Sequence, residues 1–181
     1  MSDDEIYSQY RSGHICAFDQ LISKYSARLV LYLDGFLHDT TEAEDVAIEV
    51  FASIMLKKPT IQPGRFQTYL FKTARNRAIR FHRRRGRLFS FEDVQMEDLL
   101  AAYPEETFLL DERRMAVHRY LNRIDPEPRE ALWLIYFEDM SYAQAAAVMG
   151  VNTKRVDNLL GRGKRLMRSE LSKEGITGAG E

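Results

Sequence analysis

The sequence predicts an all-α fold of two small helical domains joined by an acidic linker, the second domain a helix-turn-helix. Three observations lead there. Apolar residues recur at steps of three and four along most of the chain, no segment shows the period-two alternation of a strand, and proline and glycine punctuate the gaps between periodic stretches. The 181 residues suffice for one medium domain or two small ones. The boundaries expected are a helical domain at 1–86, a linker at 87–112, a helix-turn-helix domain at 113–174 and a disordered tail at 175–181, where Gly175, Gly178 and Gly180 cluster.

Phe18, Leu21, Ile22, Tyr25, Leu29, Tyr32, Leu33, Phe36 and Leu37 form one apolar face of a long first helix. Thr41 followed by Glu44 fits a capping box, which opens a second helix lined by Val46, Ala47, Val50, Phe51, Ile54 and Met55. Pro59 and Pro63-Gly64 break the pattern and make 58–65 a loop. A third helix runs from Phe66 to Arg85, with Phe66, Tyr69, Leu70, Thr73 and Ala74 inward and most of its basic residues outward. Beyond the linker, Val117, Tyr120, Leu121 and Ile124 mark a helix that stops before Asp125-Pro126. Asp125 is the expected cap of the next helix, with Pro126 at its first position, where a missing N–H costs nothing. That helix is nearly apolar all round, from Ala131 to Phe137, and is therefore expected at the centre of a small core. Ser141 and Gln144 form a capping box for a short helix ending at Met149-Gly150, and Asn152 caps a last helix through Met167.

The formal net charge of −1 conceals strong segregation. Residues 1–56 carry 3 basic and 10 acidic side chains, 57–90 carry 11 basic and no acidic, 91–112 carry 8 acidic and no basic, and 113–181 carry 12 basic and 9 acidic. Like charges packed so closely repel unless a polyanion or an acidic partner offsets them, so the basic stretch points to nucleic acid. The acidic linker reads either as a plain solvated connection or as a segment that mimics nucleic acid or docks in a basic channel.

Composition also excludes classes of function. Cys16 is the only cysteine, so no internal disulfide forms, and four scattered histidines give no zinc-ligand spacing. No apolar run approaches the roughly 20 residues that span a bilayer, and the acidic start MSDDEIYSQY is unlike a signal peptide. A reducing cytoplasm without membrane insertion is the expectation. Cys16 lies near a helical apolar face and is expected to pack there.

In the last third, two short helices separated by Gly150-Val151-Asn152 have the spacing of a helix-turn-helix, whose second helix enters the DNA major groove. Val156, Leu159, Leu160 and Leu166 anchor that helix. Asn152, Thr153, Lys154, Arg155 and Asn158 present polar groups to base edges, where Arg pairs with guanine and Asn with adenine. Arg162, Lys164, Arg165 and Arg168 stand where phosphates pass. Asp157 is the one member of this surface that phosphates repel. In and just after the central helix, Arg75, Asn76, Arg77, Arg80, Arg83, Arg84, Arg85 and Arg87 form a surface for a polyanion, and the interleaved Phe66, Tyr69, Phe71 and Phe81 offer rings on which unpaired bases stack, apart from those that the core takes.

Taken together, the two halves resemble the extracytoplasmic-function group of bacterial RNA polymerase sigma factors over roughly residues 15–170. The segment EAEDVAIEVFASIM (42–55) resembles the family's acidic helix, FQTYLFKTARNRAIRFHRRR (66–85) the segment that opens and reads the minus-ten element, and PEPREALWLIYFEDMSYAQAAAVMGVNTKRVDNLLGRGKRL (126–166) the helix-turn-helix that reads the minus-thirty-five element. The resemblance implies binding to core RNA polymerase, at the β′ clamp helices and the β flap, and to promoter DNA, with an anti-sigma factor as a further partner and no cofactor. It implies that Asp45 and Glu49 face polymerase, with Val46 and Phe51 beside them as helix packing or contact, and that the 60–65 loop, including Arg65, surrounds a minus-ten base together with Asn76. The sequence departs from the family pattern at Ile48, Met55 and Arg80, where Gln, Trp and Asp are usual, and at Gly161 and Gly163.

Two other functions compete. A free DNA-binding regulator would use the same helix-turn-helix but leave the basic stretch, the acidic helix and the linker unrelated. A small nuclease or hydrolase would need Asp39, Glu42, Glu44 and Asp45 as its carboxylates, but no glycine-rich phosphate loop, Gly-x-Ser-x-Gly or His-Glu-x-x-His motif accompanies them.

Overall fold

A computed structural model describes residues 1–85 and 112–173. The linker and tail expected at 87–112 and 175–181 therefore lie outside the described residues, apart from Glu112. Among the described residues every regular element is a helix, and they fall into two compact units, one on each side of the linker.

The first unit contains α1 (Asp3–Arg11), α2 (Ala17–Leu37), α3 (Thr40–Lys57) and α4 (Phe66–Arg85). The expected core face of α2 is buried: Phe18, Leu21, Leu29 and Leu33 are fully enclosed and Tyr25 nearly so. Each such side chain stabilises the fold by about 1.5–3 kcal/mol relative to exposure, which makes α2 the axis on which α1, α3 and α4 pack. Its helix ends at His38 in the left-handed conformation, with φ 52°.

Helix α1 is not legible in the expected pattern, yet its start carries a complete capping box. The Ser2 hydroxyl accepts from the Glu5 N–H at 3.2 Å, and the Glu5 carboxylate accepts from the Ser2 N–H at 2.8 Å. Asp3 fastens α1 to α2 by accepting from the Tyr25 hydroxyl at 2.6 Å and pairing with Lys24 at 2.7 Å. The expected Thr41–Glu44 box does not form. Asp39, with extended dihedrals, caps α3 instead by accepting from the Glu42 N–H at 3.0 Å. Its carboxylate stands two residues earlier and meets the first free donors of the helix before Thr41 can. Cys16 is exposed in the turn before α2 and does not pack.

The second unit contains α5 (Glu112–Leu121), α6 (Pro126–Tyr136), α7 (Tyr142–Met149) and α8 (Thr153–Lys173). Ala131, Leu132, Trp133 and Leu134 of α6 are buried, and the Trp133 indole stacks on Phe137 with ring centroids 4.6 Å apart. His118 is buried edge-on to Trp133. Pro126 occupies the first turn of α6 as expected, but the Asp125 side chain makes no cap and pairs with Arg162 of α8. The Ser141–Gln144 capping box forms in both directions, at 3.2 and 2.9 Å. Gly150 closes α7 at φ 69°, a conformation that a side chain resists. Asn152 then accepts from the Arg155 N–H at 2.8 Å and starts α8, which runs six residues past the expected end.

Glycine is needed at Gly163 for another reason. A Cβ there would lie 2.8 Å from Leu132 Cδ1 and 3.1 Å from the Pro128 carbonyl oxygen, so the backbones of α6 and α8 meet at this point. Gly161, one half-turn earlier, faces open space apart from Arg165.

Candidate functional site

Three surfaces carry the residues singled out by the sequence, two on the first unit and one on the second. On α3, Asp45 and Glu49 are exposed, while Val46 and Phe51 are buried at 3% and 6%. Val46 and Phe51 therefore hold the helix against α2 and α4 and leave the outward face to other residues. That face has an apolar component absent from the sequence reading: Ile48 and Leu56 are 65% and 86% exposed, at positions that share a side with Asp45 and Glu49. An exposed apolar stripe edged by carboxylates fits a protein partner with basic and apolar groups.

On α4, Asn76, Arg80, Arg83 and Arg84 are exposed and Arg75 and Arg77 half-buried. Tyr69, Asn76, Arg77, Arg80, Phe81 and Arg84 line one groove together with Glu49 and Lys57 of α3. Arg65, Arg75 and Arg83 lie outside that lining. Phe66 is 1% exposed and Phe71 fully enclosed, packed against Tyr25 and Tyr32, so neither ring is available to a base. The expectation that Phe66 contacts nucleic acid is thus corrected; helical phase turns it and Phe71 toward α2, and only the half-buried Tyr69 and Phe81 border the groove. The cationic groove contains one acid, Glu49, whose Oε2 accepts from Arg77 Nη1 at 3.0 Å.

The loop before α4 bends at Lys58 (φ 42°) and Gly64 (φ 72°). Thr60, Gln62 and Arg65 are exposed on it.

On α8, Val156, Leu159 and Leu160 face the core as expected, and Leu166 is half-buried. Thr153, Lys154, Arg155, Asn158, Arg162, Lys164 and Arg165 are exposed. Asn152 is exposed too, but its side-chain oxygen already serves the cap. Two of the arginines are held from the neighbouring helix start: Arg155 pairs with Glu127 at 2.5 Å and Arg162 with Asp125. The Lys164 ammonium lies 5.5 Å from the Tyr136 ring centre, and its interaction with the Tyr136 side chain raises its pKa. Such a first turn of polar groups, flanked by cations and seated on a buried stripe, is what base-edge reading with phosphate anchoring requires.

Among the described residues there is no cluster of three or more His, Cys, Asp or Glu able to hold a metal ion, and no helix is long and apolar enough to cross a membrane.

Two family models match the chain. The model for sigma-70 region 2 matches residues 21–88, and that for sigma-70 region 4 matches residues 114–167. The chain is 31% identical over 158 residues to the RNA polymerase sigma-H factor of Pseudomonas aeruginosa, covering 81% of this chain and 82% of that one. It is 28% identical to the ECF RNA polymerase sigma factor SigE of Mycolicibacterium smegmatis, covering 87% of this chain and 62% of that one. In fold it is similar to the sigma factor RpoE of Bartonella quintana, solved in complex with the anti-sigma factor NepR. The TM-score there is 0.68 at 22% identity, with 87% of this chain and 98% of that one covered.

Proposed function

The chain belongs to the extracytoplasmic-function group of the sigma-70 family, and from that premise we propose how its surfaces divide the work of promoter-specific transcription initiation with RNA polymerase. Residues 1–86 bind the β′ clamp helices through the outward face of α3, with Asp45, Glu49, Ile48 and Leu56 as the contact, and take the minus-ten element on α4 and the 58–65 loop. Arg75, Arg77, Arg80, Arg83 and Arg84 hold the strand backbone, and Asn76 and Arg65 flank an extruded base, as other proteins read bases taken out of the stack. Residues 113–174 read the minus-thirty-five element with Thr153, Lys154, Arg155 and Asn158, anchored by Arg162, Lys164 and Arg165, and touch the β flap. Residues 87–112 connect the two.

The observation that carries this reading is the adjacency, on one small unit, of an acidic and apolar face on α3 and a cationic, ring-lined groove on α4. A free DNA-binding regulator has no use for the first of these. The protein works in the cytoplasm, where polymerase and DNA are, contributes no catalytic group and needs no cofactor. An anti-sigma factor, such as the one seated on the B. quintana relative, is its expected antagonist.

Footprinting of the promoter upstream of its own gene tests the reading. Protection is expected only when core polymerase is added. Protection by the protein alone, unchanged by polymerase, contradicts it and favours the free regulator.

A further inference from the structure

Helix α1 holds the 58–65 loop at two points and the last turn of α3, from which the loop departs, at a third. The Tyr7 hydroxyl donates to the Pro59 carbonyl at 2.8 Å, the Tyr10 hydroxyl donates to the Met55 carbonyl at 2.9 Å, and the Asp4 carboxylate accepts from the Gly64 N–H. Both tyrosines are 4% exposed and packed among aromatic rings, with Tyr7 5.2 Å from Phe66 and Tyr10 4.8 Å from Phe18 between ring centres. Their hydroxyls thus stand at fixed points. Asp3, one turn before Tyr7 on the same side of α1, fastens the helix to α2. The tethers reach the last turn of α3, the residue after the Lys58 bend and the Gly64 bend, so they act at both ends of the loop. They engage backbone only, leaving the side chains of Thr60, Gln62 and Arg65 outward.

A loop that discriminates between bases must hold its groups to within a fraction of an ångström, since slack lets it adapt to the wrong base. We propose that Tyr7, Tyr10 and Asp4 are positioning residues for promoter selectivity: α1 fixes the 58–65 loop in its reading conformation without touching DNA. This rests on the reading that the loop surrounds a minus-ten base.

The test uses holoenzyme assembled from the full chain and core polymerase. The probe is a labelled single-stranded minus-ten oligonucleotide from the promoter upstream of the protein's own gene, with each position replaced in turn by the other three bases. Thr60→Ala with Gln62→Ala locates the position that the loop reads, as the one where discrimination flattens. At that position Tyr7→Phe with Tyr10→Phe, which removes two hydroxyls and keeps both rings, is expected to lower discrimination about threefold to tenfold. Discrimination elsewhere and affinity for core polymerase stay within about twofold, a base-specific pattern that general loss of folding does not produce. If the paired variant folds poorly, each single Phe variant is read in the same way at a smaller expected effect.

Intact discrimination in the Phe variants, while the loop variants flatten it, overturns the proposal and leaves the loop reading standing. An equal loss of affinity for every oligonucleotide also overturns it, since that is structural support only. If the loop variants flatten discrimination nowhere, the loop reading falls and the proposal falls with it.

Discussion

Glu49 of α3 and Arg77 of α4 are joined by an ion pair of 3.0 Å, so the acid assigned to polymerase neutralises one of the cations assigned to DNA. Their side chains are 64% and 32% exposed, and an exposed pair of this kind contributes less than about 1 kcal/mol. Glu49→Gln is therefore expected to raise the affinity of the free chain for a minus-ten single strand, by up to about fivefold at low salt. Fluorescence anisotropy measures the gain, and in an Arg77→Gln background the gain disappears. A gain of equal size in both backgrounds means that Glu49 acts through the general field and not through Arg77.

The two glycines of α8 predict opposite outcomes. Gly161→Ala meets open space, and alanine's better helix propensity stabilises the protein by up to about 1 kcal/mol. Gly163→Ala drives a methyl group against Leu132 and the Pro128 carbonyl and destabilises by about 1–3 kcal/mol, propensity notwithstanding. Urea unfolding monitored by the fluorescence of Trp133, the single tryptophan, separates the two.

Stability is expected to fall at alkaline pH through Tyr7. Burial pushes its hydroxyl up to about 12 from an ordinary 10.0, against a smaller opposing effect of Arg11. Between those values the folded chain keeps a proton that the unfolded chain releases, so this contribution is complete below pH 10 and is lost as pH rises toward 12. The drop in urea midpoint between pH 9 and pH 11 is predicted to be smaller in Tyr7→Phe; an unchanged drop contradicts the assignment.

On the helix-turn-helix, base and phosphate contacts separate by their sequence dependence. Asn158→Ala is expected to lose about 1–3 kcal/mol of discrimination at one base pair of the minus-thirty-five duplex and to leave other positions alone. Lys164→Ala weakens holoenzyme binding to all duplexes alike and lowers the salt slope by about one. Holoenzyme binding to a duplex panel at several salt concentrations reads both.

Much of this was legible in the sequence because helical periodicity and capping chemistry are local. The face of α2 from Phe18 to Leu33, the Ser141–Gln144 box, the Gly150 turn and the Asn152 cap need no knowledge of distant contacts. Helix α1 has a weak apolar signature because two of its three buried residues are tyrosines, set among acidic and polar neighbours; the Ser2–Glu5 spacing is its one local signal. At the start of α3, Asp39, Thr40 and Thr41 are all plausible caps, and only the backbone geometry selects Asp39. Spacing placed Phe66 and Tyr69 inward, of which only Phe66 is fully enclosed, and it left Phe71, which α2 also covers, among the rings offered to bases. The pairings Glu49–Arg77, Arg155–Glu127 and Gly163–Leu132 join residues that are 28 or more apart in the chain, where periodicity carries no information.

Run-off transcription with purified bacterial core polymerase, on a fragment carrying the promoter upstream of the protein's own gene, tests the central claim most directly. A defined transcript is predicted only in the presence of the protein, and its loss when Asp45 and Glu49 are both changed to Lys. No transcript, no association with core polymerase and a footprint by the protein alone would contradict the account.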